Sequence, residues 1–306
     1  MKSYRLYQVD SFTKNKFTGN PAGVVTNADG LSEEQMQKIA GELNNSETAF
    51  ILRADAESHD VHVRFFTPSM EVPMCGHATI AAHYVRAFEL KLDSSQVIQK
   101  VGAGILPVDL ISTDIDGKSD YKVIMTQGDI TFDNPLDFDI VSVICDALDI
   151  SSADLTDNAP IQIVSTGHSK VMVCIKSYAL LKQLNPDFEE LIEISESIGC
   201  NGFLVFSKDT PEDDYFINAR MFGPALGINE DPVNGSSGGA LGAYLVKHEL
   251  IDSANKSQIQ FKVRQGFSVG RPGEVEVLID LDAEGNPVLG KIIGDAVIVF
   301  QTTLDM

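Results

Sequence analysis

Apolar positions along this chain recur at two periods, every second residue in some stretches and every third or fourth in others. The switches between them lay out strands and helices. Residues 4–12 alternate as a strand, Gly19-Asn20-Pro21 turns the chain, and residues 22–25 return. Ser32-Glu33-Glu34-Gln35 reads as a capping box for a helix with Met36, Ile39, Ala40 and Leu43 on one face. That helix stops at Asn44-Asn45, both poor helix formers. Strands are expected at 49–52 and 61–66, then a hairpin of 97–101 and 105–111 around Gly102-Ala103-Gly104. Residues 112–119, rich in Asp, Ser, Thr and Gly, read as a linker.

The second half follows the same order. Strands are expected at 121–126, 161–164 and 171–175, with an amphipathic helix at 141–148. A helix from Phe188 to Ile198 ends at Gly199, as a C-cap. Strands at 203–206, 215–222, 259–263, 274–279 and 291–300 complete the chain. Most of these strands pair antiparallel, so the fold class is α+β. It comprises two pseudo-symmetric domains, each a rolled, barrel-like sheet around one central helix.

The pseudo-symmetry rests on a duplicated stretch. Arg64-Phe65-Phe66-Thr67-Pro68 precedes Glu71-Val72-Pro73-Met74-Cys75-Gly76-His77. Arg220-Met221-Phe222-Gly223-Pro224 precedes Glu230-Asp231-Pro232-Val233-Asn234-Gly235-Ser236. Both read R-x-F-x-P, a spacer, then E-x-P-x-x-G. Each glycine leads into small residues ending in an aromatic, Tyr84 or Tyr244. Such a run suits a helix buried on every side, where neighbouring backbone comes close. The first turn of each helix presents unpaired N–H groups and partial positive charge, a place for a carboxylate or phosphate. A single such motif reads as a tight turn feeding a core helix. The matched pair, with His and Ser at equivalent helix starts, points to a site.

Composition narrows the partners. The chain has 306 residues and a net charge of -21, from 44 carboxylates against 23 Lys plus Arg. With no Lys/Arg run, nucleic acid and anionic membranes are excluded as expected partners. No run approaches the roughly 20 apolar residues of a membrane span. The four cysteines, Cys75, Cys145, Cys174 and Cys200, show no C-x-x-C spacing, so free thiols and a cytoplasmic location are expected.

Individual side chains leave alternatives open. Glu47, between Ser46 and Thr48, is a solvated loop carboxylate or a general acid/base tuned by partial burial. His77 begins the first central helix, where positive helix charge disfavours imidazolium. Asp231 lies in a proline turn, where Asp is common for turn reasons alone, and Ser236 is a candidate N-cap. Cys75, just before a helix, is a candidate low-pKa thiol. Its repeat counterpart is Asn234, so a two-thiol racemase lacks its second thiol. Cys75 and His77 have no companion at metal-site spacing, and no metal is expected.

These motifs together resemble the phenazine-biosynthesis isomerase (PhzF-like) family, which has a diaminopimelate epimerase-like fold. The resemblance runs nearly end to end. It takes in Val9-Asp10-Ser11-Phe12, Phe17-Thr18-Gly19-Asn20-Pro21-Ala22 and Asn45-Ser46-Glu47-Thr48-Ala49-Phe50. It continues through Phe66-Thr67-Pro68, Cys75-Gly76-His77-Ala78-Thr79, the second copy at 230–236, Gln265-Gly266 and Gly270-Arg271-Pro272. It implies residues 1–117 with 290–306 as one domain, whose last strand returns, 118–289 as the other, and a site in the cleft between them. It implies proton transfer on a small carboxylate, as in isomerisation of trans-2,3-dihydro-3-hydroxyanthranilate, without metal or organic cofactor. Glu47 would move the proton. Asp231, His77 and Ser236 would hold amino, hydroxyl and ring groups, with Ser46 beside them. Backbone N–H groups after Gly76 and Gly235 would hold the carboxylate. Homodimers are common in the family. Where this chain has Asn234 the family usually has threonine. The other readings are an amino-acid epimerase using Cys75 and a non-catalytic small-molecule-binding protein on the same scaffold.

Overall fold

A computed structural model describes residues 2–115, 118–210 and 216–306. The chain divides into two compact units, Met1–Thr126 with Ile293–Met306, and Gln127–Ile292. The first contains β1 (Ser3–Ser11), β2 (Asn20–Val25), α1 (Glu33–Leu43), β3 (Glu47–Arg53), β4 (Val61–Phe66) and β5 (Glu71–Val72). It continues with α2 (Gly76–Leu90), β6 (Ser95–Val101), β7 (Gly104–Ile115) and β8 (Lys118–Thr126), and regains the C-terminal strand Ala296–Asp305.

Its sheet runs in the order C-terminal strand, β1, β2, β3, β4, β6, β7, β8. Every pair is antiparallel except β2–β3 and β4–β6. Helix α2 packs against β1, β2 and β3, and also against β8 and the C-terminal strand at the sheet's two ends. One helix touching both ends means that the sheet curls around it. Ser32 caps α1 with the expected box to Gln35, and Asn44 closes that helix in the left-handed region at φ 50. The apolar face of α1, Met36, Ile39 and Ala40, joins Phe50 and Phe66 in a second cluster outside the sheet.

The second unit contains β9 (Thr131–Pro135), α3 (Phe138–Ala147), β10 (Gln162–Ser165), β11 (Ser169–Cys174), α4 (Tyr178–Gln183) and α5 (Phe188–Ile198). It goes on through β12 (Phe203–Ser207), β13 (Phe216–Gly223), β14 (Ile228–Asp231), α6 (Gly235–Lys247), β15 (Gln258–Gln265), β16 (Gly273–Leu281) and β17 (Pro287–Gly294). Its sheet order is β9, β10, β11, β12, β13, β15, β16, with parallel pairs only at β11–β12 and β13–β15. The alternation of parallel and antiparallel pairs repeats that of the first unit. Helix α6 packs on β10, β11 and β16. Its glycines are required by contact: a Cβ on Gly242 would sit 2.6 Å from Ile279 Cγ1, and one on Gly239 1.4 Å from Gln127 Oε1. The fold class is therefore the expected one, α+β with each rolled sheet around a helix.

Several boundaries differ from the expectation. The stretch 112–119 is not a linker in its described residues. β7 and β8 pair antiparallel through it, Thr113 with Asp120 and Ile115 with Lys118. Ser112 and Thr113 are half-buried and Asp114 is exposed, a polar strand that composition does not separate from a loop. The expected strand 291–300 is two strands broken at Asp295, whose carbonyl accepts from Phe12 N at 2.7 Å. β9 and the six-residue α4 were not foreseen, being too short for periodicity to register. Tyr215, expected in a strand, lies outside the described residues.

The Arg and Glu of the duplicated motif hold its turn. Arg64 grips Glu71 with Nε–Oε1 2.7 Å and Nη2–Oε2 2.6 Å, and stacks on Phe66 at 5.1 Å. Arg220 grips Glu230 with Nε–Oε1 3.0 Å and Nη2–Oε2 2.7 Å, and stacks on Phe222 at 4.9 Å. Both are bidentate forks, the geometry that favours Arg over Lys. The R-x-F and E of the pattern therefore serve the scaffold.

Candidate active site

In the first unit, the elements bring Ser46, Glu47, Cys75, Gly76 and His77 together. Glu47 is the first residue of β3, not a loop residue, and pairs with Ala22 of the parallel neighbour β2. Its side chain is 14% exposed, so the solvated reading does not hold. Cys75 is the N-cap of α2, in extended conformation, and its side chain accepts nothing from the helix. His77 is buried one residue inside the helix, and Ser11 Oγ donates to its carbonyl at 2.8 Å.

The His77 ring is the hub. Its Nε2 lies 3.2 Å from Ser46 Oγ and 3.3 Å from Glu47 Oε2. Its Nδ1 lies 3.4 Å from Cys75 Sγ. The Glu47 contact is within ion-pair range, yet Oε2 makes no hydrogen bond and is shut off from solvent. A buried carboxylate oxygen without a donor is costly. One ligand atom each from Glu47, Cys75 and His77 lie within 4.8 Å of one another. The companion that chain spacing did not offer Cys75 and His77 is supplied in space by Glu47. The thiol, imidazole and carboxylate are also a set able to ligate a divalent metal.

In the second unit the corresponding helix start is built differently. The N-cap is Asn234, not Ser236. Asn234 Oδ1 accepts from Ser237 N at 2.8 Å and from Ser236 Oγ at 2.9 Å. Ser236 lies inside the helix, so its hydroxyl donates to the cap. Asn234 Nδ2 donates to Asp231 Oδ2 at 2.8 Å, which ties Asp231, at the end of β14, to the helix start. Gly235 opens α6. Gln265 pins the same asparagine from both sides: Oε1 accepts from Asn234 N at 3.0 Å and Nε2 donates to its carbonyl at 3.1 Å. Asp231, Asn234, Gly235 and Ser236 thus form one hydrogen-bonded group. Sequence reading missed Ser11 as the support of His77 and Gln265 as the support of Asn234, although both lie in quoted motifs.

Comparison with known proteins gives the lineage. Residues 9–302 match the family described as phenazine biosynthesis-like protein. An uncharacterized isomerase of Clostridium acetobutylicum is 55% identical over 304 residues, 99% of each chain. Trans-2,3-dihydro-3-hydroxyanthranilate isomerase of Pseudomonas aeruginosa is 29% identical over 275 residues, 89% of each. The crystal structure of a PhzF-family phenazine biosynthesis protein from Bacillus anthracis superposes with TM-score 0.87 at 28% identity, covering 100% of both chains. The duplicated turn, the two helix starts and matches across nearly the whole length lead to one conclusion: the chain belongs to the phenazine biosynthesis-like (PhzC-PhzF) family and is an isomerase of it.

Proposed function

We propose that the chain is a cofactor-independent isomerase, working in the cytoplasm, that moves a proton on a small carboxylate-bearing substrate, with Glu47 as general acid/base. The observation that carries this reading is Glu47 Oε2, buried, without a hydrogen bond, 3.3 Å from His77 Nε2. That oxygen has no competing donor, so it is placed to take a proton from substrate carbon. Having taken it from carbon, Glu47 can return it to another carbon on the same face. The His77 ring, fixed between Ser46 and Cys75, holds the carboxylate in place and offers a ring nitrogen to a substrate heteroatom. Asp231 and Ser236 supply an acceptor and a hydroxyl for the amino and hydroxyl groups of a substrate. Trans-2,3-dihydro-3-hydroxyanthranilate, the substrate in the name of the Pseudomonas relative, is the first compound to assay.

The test is solvent deuterium incorporation during turnover of that compound and a panel of cyclic and amino-acid carboxylates. Glu47→Gln should abolish incorporation while ligand binding survives. Cys75→Ser should retain most of it. The contact of Cys75 Sγ with His77 favours a second reading, an epimerase with the thiol as one base. Its opposite base would stand at Asn234, whose amide is already committed to capping α6. Normal exchange in Glu47→Gln together with a dead Cys75→Ser would replace the first reading with the second.

A further inference from the structure

The two units differ at the position of the proposed base. Strand register fixes the correspondence. In the first unit Thr48 pairs with Phe66 and Phe50 with Arg64. In the second, Phe203 pairs with Phe222 and Val205 with Arg220. Aligned on R-x-F, Phe203 stands where Thr48 does, and Gly202 where Glu47 does. The parallel neighbours agree: Gly23 pairs with Thr48 and Val171 with Phe203, so Lys170 takes the place of Ala22.

Gly202 has no side chain, and the space is filled by its neighbour. A Cβ on Gly202 would lie 2.7 Å from Lys170 Cδ, 3.2 Å from Lys170 Cε and 2.5 Å from Met221 Cε. Where the first unit places a carboxylate on a small partner, Glu47 over Ala22, the second places a lysine over a glycine. Lys170 is 6% exposed. Its Nζ makes one hydrogen bond, to the adjacent Ser169 carbonyl at 3.1 Å, and among the described residues no carboxylate reaches it within ion-pair distance. An ammonium has three donors and no acceptor, and one buried with a single neutral acceptor carries a desolvation cost that an anion would relieve. Burial lowers its pKa, while Cys200 and Asp231 pull it back up. Met221 shares the Gly202 gap with Lys170 and pairs with Asp231 across β13 and β14, which links the lysine to the strand that carries the Asn234 group.

We propose that Lys170 is an anion subsite of the second unit, where its ammonium binds a carboxylate of the ligand. This deepens the isomerase reading and rests on it for the reaction, and it names the substrate class as anionic. It also accounts for how a chain of net charge -21 holds an anion: one local cation in a dry setting outweighs a field that salt screens over roughly 8 Å.

The experiment needs no turnover. Full-length protein is titrated with benzoate and with benzamide, which keep one shape and differ in charge. The Lys170 Cε resonance is followed in protein carrying carbon-13 lysine. Benzoate, and not benzamide, should shift that resonance in a saturable way. K170M should weaken benzoate binding at least roughly tenfold, the worth of a charge-assisted hydrogen bond, and leave benzamide unchanged. It should also raise Tm, because a buried cation becomes an apolar chain of similar length. K170R should keep part of the benzoate affinity. If K170M does not fold, the wild-type resonance alone decides. A Lys170 resonance indifferent to benzoate, or benzoate affinity unchanged in K170M, overturns the proposal. Normal exchange by Glu47→Gln would remove the isomerase mechanism and leave the subsite standing. Loss of the subsite with a dead Glu47→Gln would do the reverse.

Discussion

The two central helices begin on the same backbone plan and end up in different chemical states. The start of α2 has a cap residue, Cys75, whose side chain makes no capping bond to the helix backbone, with His77 and the unbonded Oε2 of Glu47 beside it. The start of α6 is closed by Asn234, which satisfies Ser237 N, Ser236 Oγ and Asp231 at once. The motif's ion pair shows the opposite bias. Arg64 and Glu71 are 21% and 37% exposed, while Arg220 and Glu230 are 7% and 8%. The first unit starts its helix without a side-chain cap and leaves its turn partly exposed to water. The second satisfies the start and buries the turn. One scaffold thus carries two helix starts that differ in capping and burial.

The contrast is tested first at the base. Glu47→Gln should lower turnover by about 10²–10⁴, the usual worth of a general acid/base, read as deuterium incorporation. Cys75→Ser should cost little. Equal losses in both would erase the distinction between scaffold thiol and working carboxylate.

The next largest effect is on stability. Arg220→Ala strands a buried Glu230 and removes donors from the Leu181 and Leu184 carbonyls, so a loss of roughly 3–5 kcal/mol is expected in denaturant unfolding. Arg64→Ala, at the matching position, should cost about 1 kcal/mol, because its partners reach water. Similar costs would mean that burial does not separate the two turns.

A third probe is pH. His83 in α2 is fully buried, and burial first, with Arg86 adding, pushes its pKa down to about 4, against the opposing bond to Gln99. Its Nε2 lies 3.0 Å from Gln99 Oε1. The imidazole stays neutral in the folded chain, while the unfolded chain takes up a proton below about 6.5. The unfolded state therefore binds more protons between roughly pH 4 and 6.5, and stability falls as pH drops through that window, by up to roughly 3 kcal/mol. A His83→Gln variant should flatten that part of the stability profile. An unchanged profile would remove His83 as its source.

The smallest effect is at the caps. Asn234→Ala should destabilise by about 1 kcal/mol and Asn234→Asp by less, since the carboxylate can still accept from Ser237 N. Cys75→Ala should not lower stability through any lost cap. A Cys75→Ala cost matching Asn234→Ala would mean that α2 is capped in solution after all.

How far the sequence reached can be judged at particular positions. The capping box at Ser32 and the C-cap at Gly199 were legible because both are local devices, complete within a few residues. The duplicated turn was legible because the same residues recur at nearly the same spacing. The role of its Arg and Glu was not, since bidentate pairing is a matter of side-chain direction. Glu47 read first as a loop carboxylate because burial at the head of a strand depends on what packs over it. The N-cap was misplaced from Asn234 to Ser236 because both residue types cap well, and the helix start differed by two positions. Lys170 left no mark at all. A lone lysine at the head of an apolar strand signals a solvated end, and the missing side chain at Gly202 gives it room inside.

The C-terminal strand has a consequence for biogenesis. It pairs with β1 from Ser3–Asp305 to Ser11–Ala296, so β1 waits for a strand made much later. Residues 127–292 are contiguous and can fold as they leave the ribosome, whereas the first unit stays incomplete until residues 293–306 follow them. Until then one edge of β1 offers open backbone groups to any passing strand. The nascent chain is thus most prone to aggregate through β1 while residues 127–292 are being made.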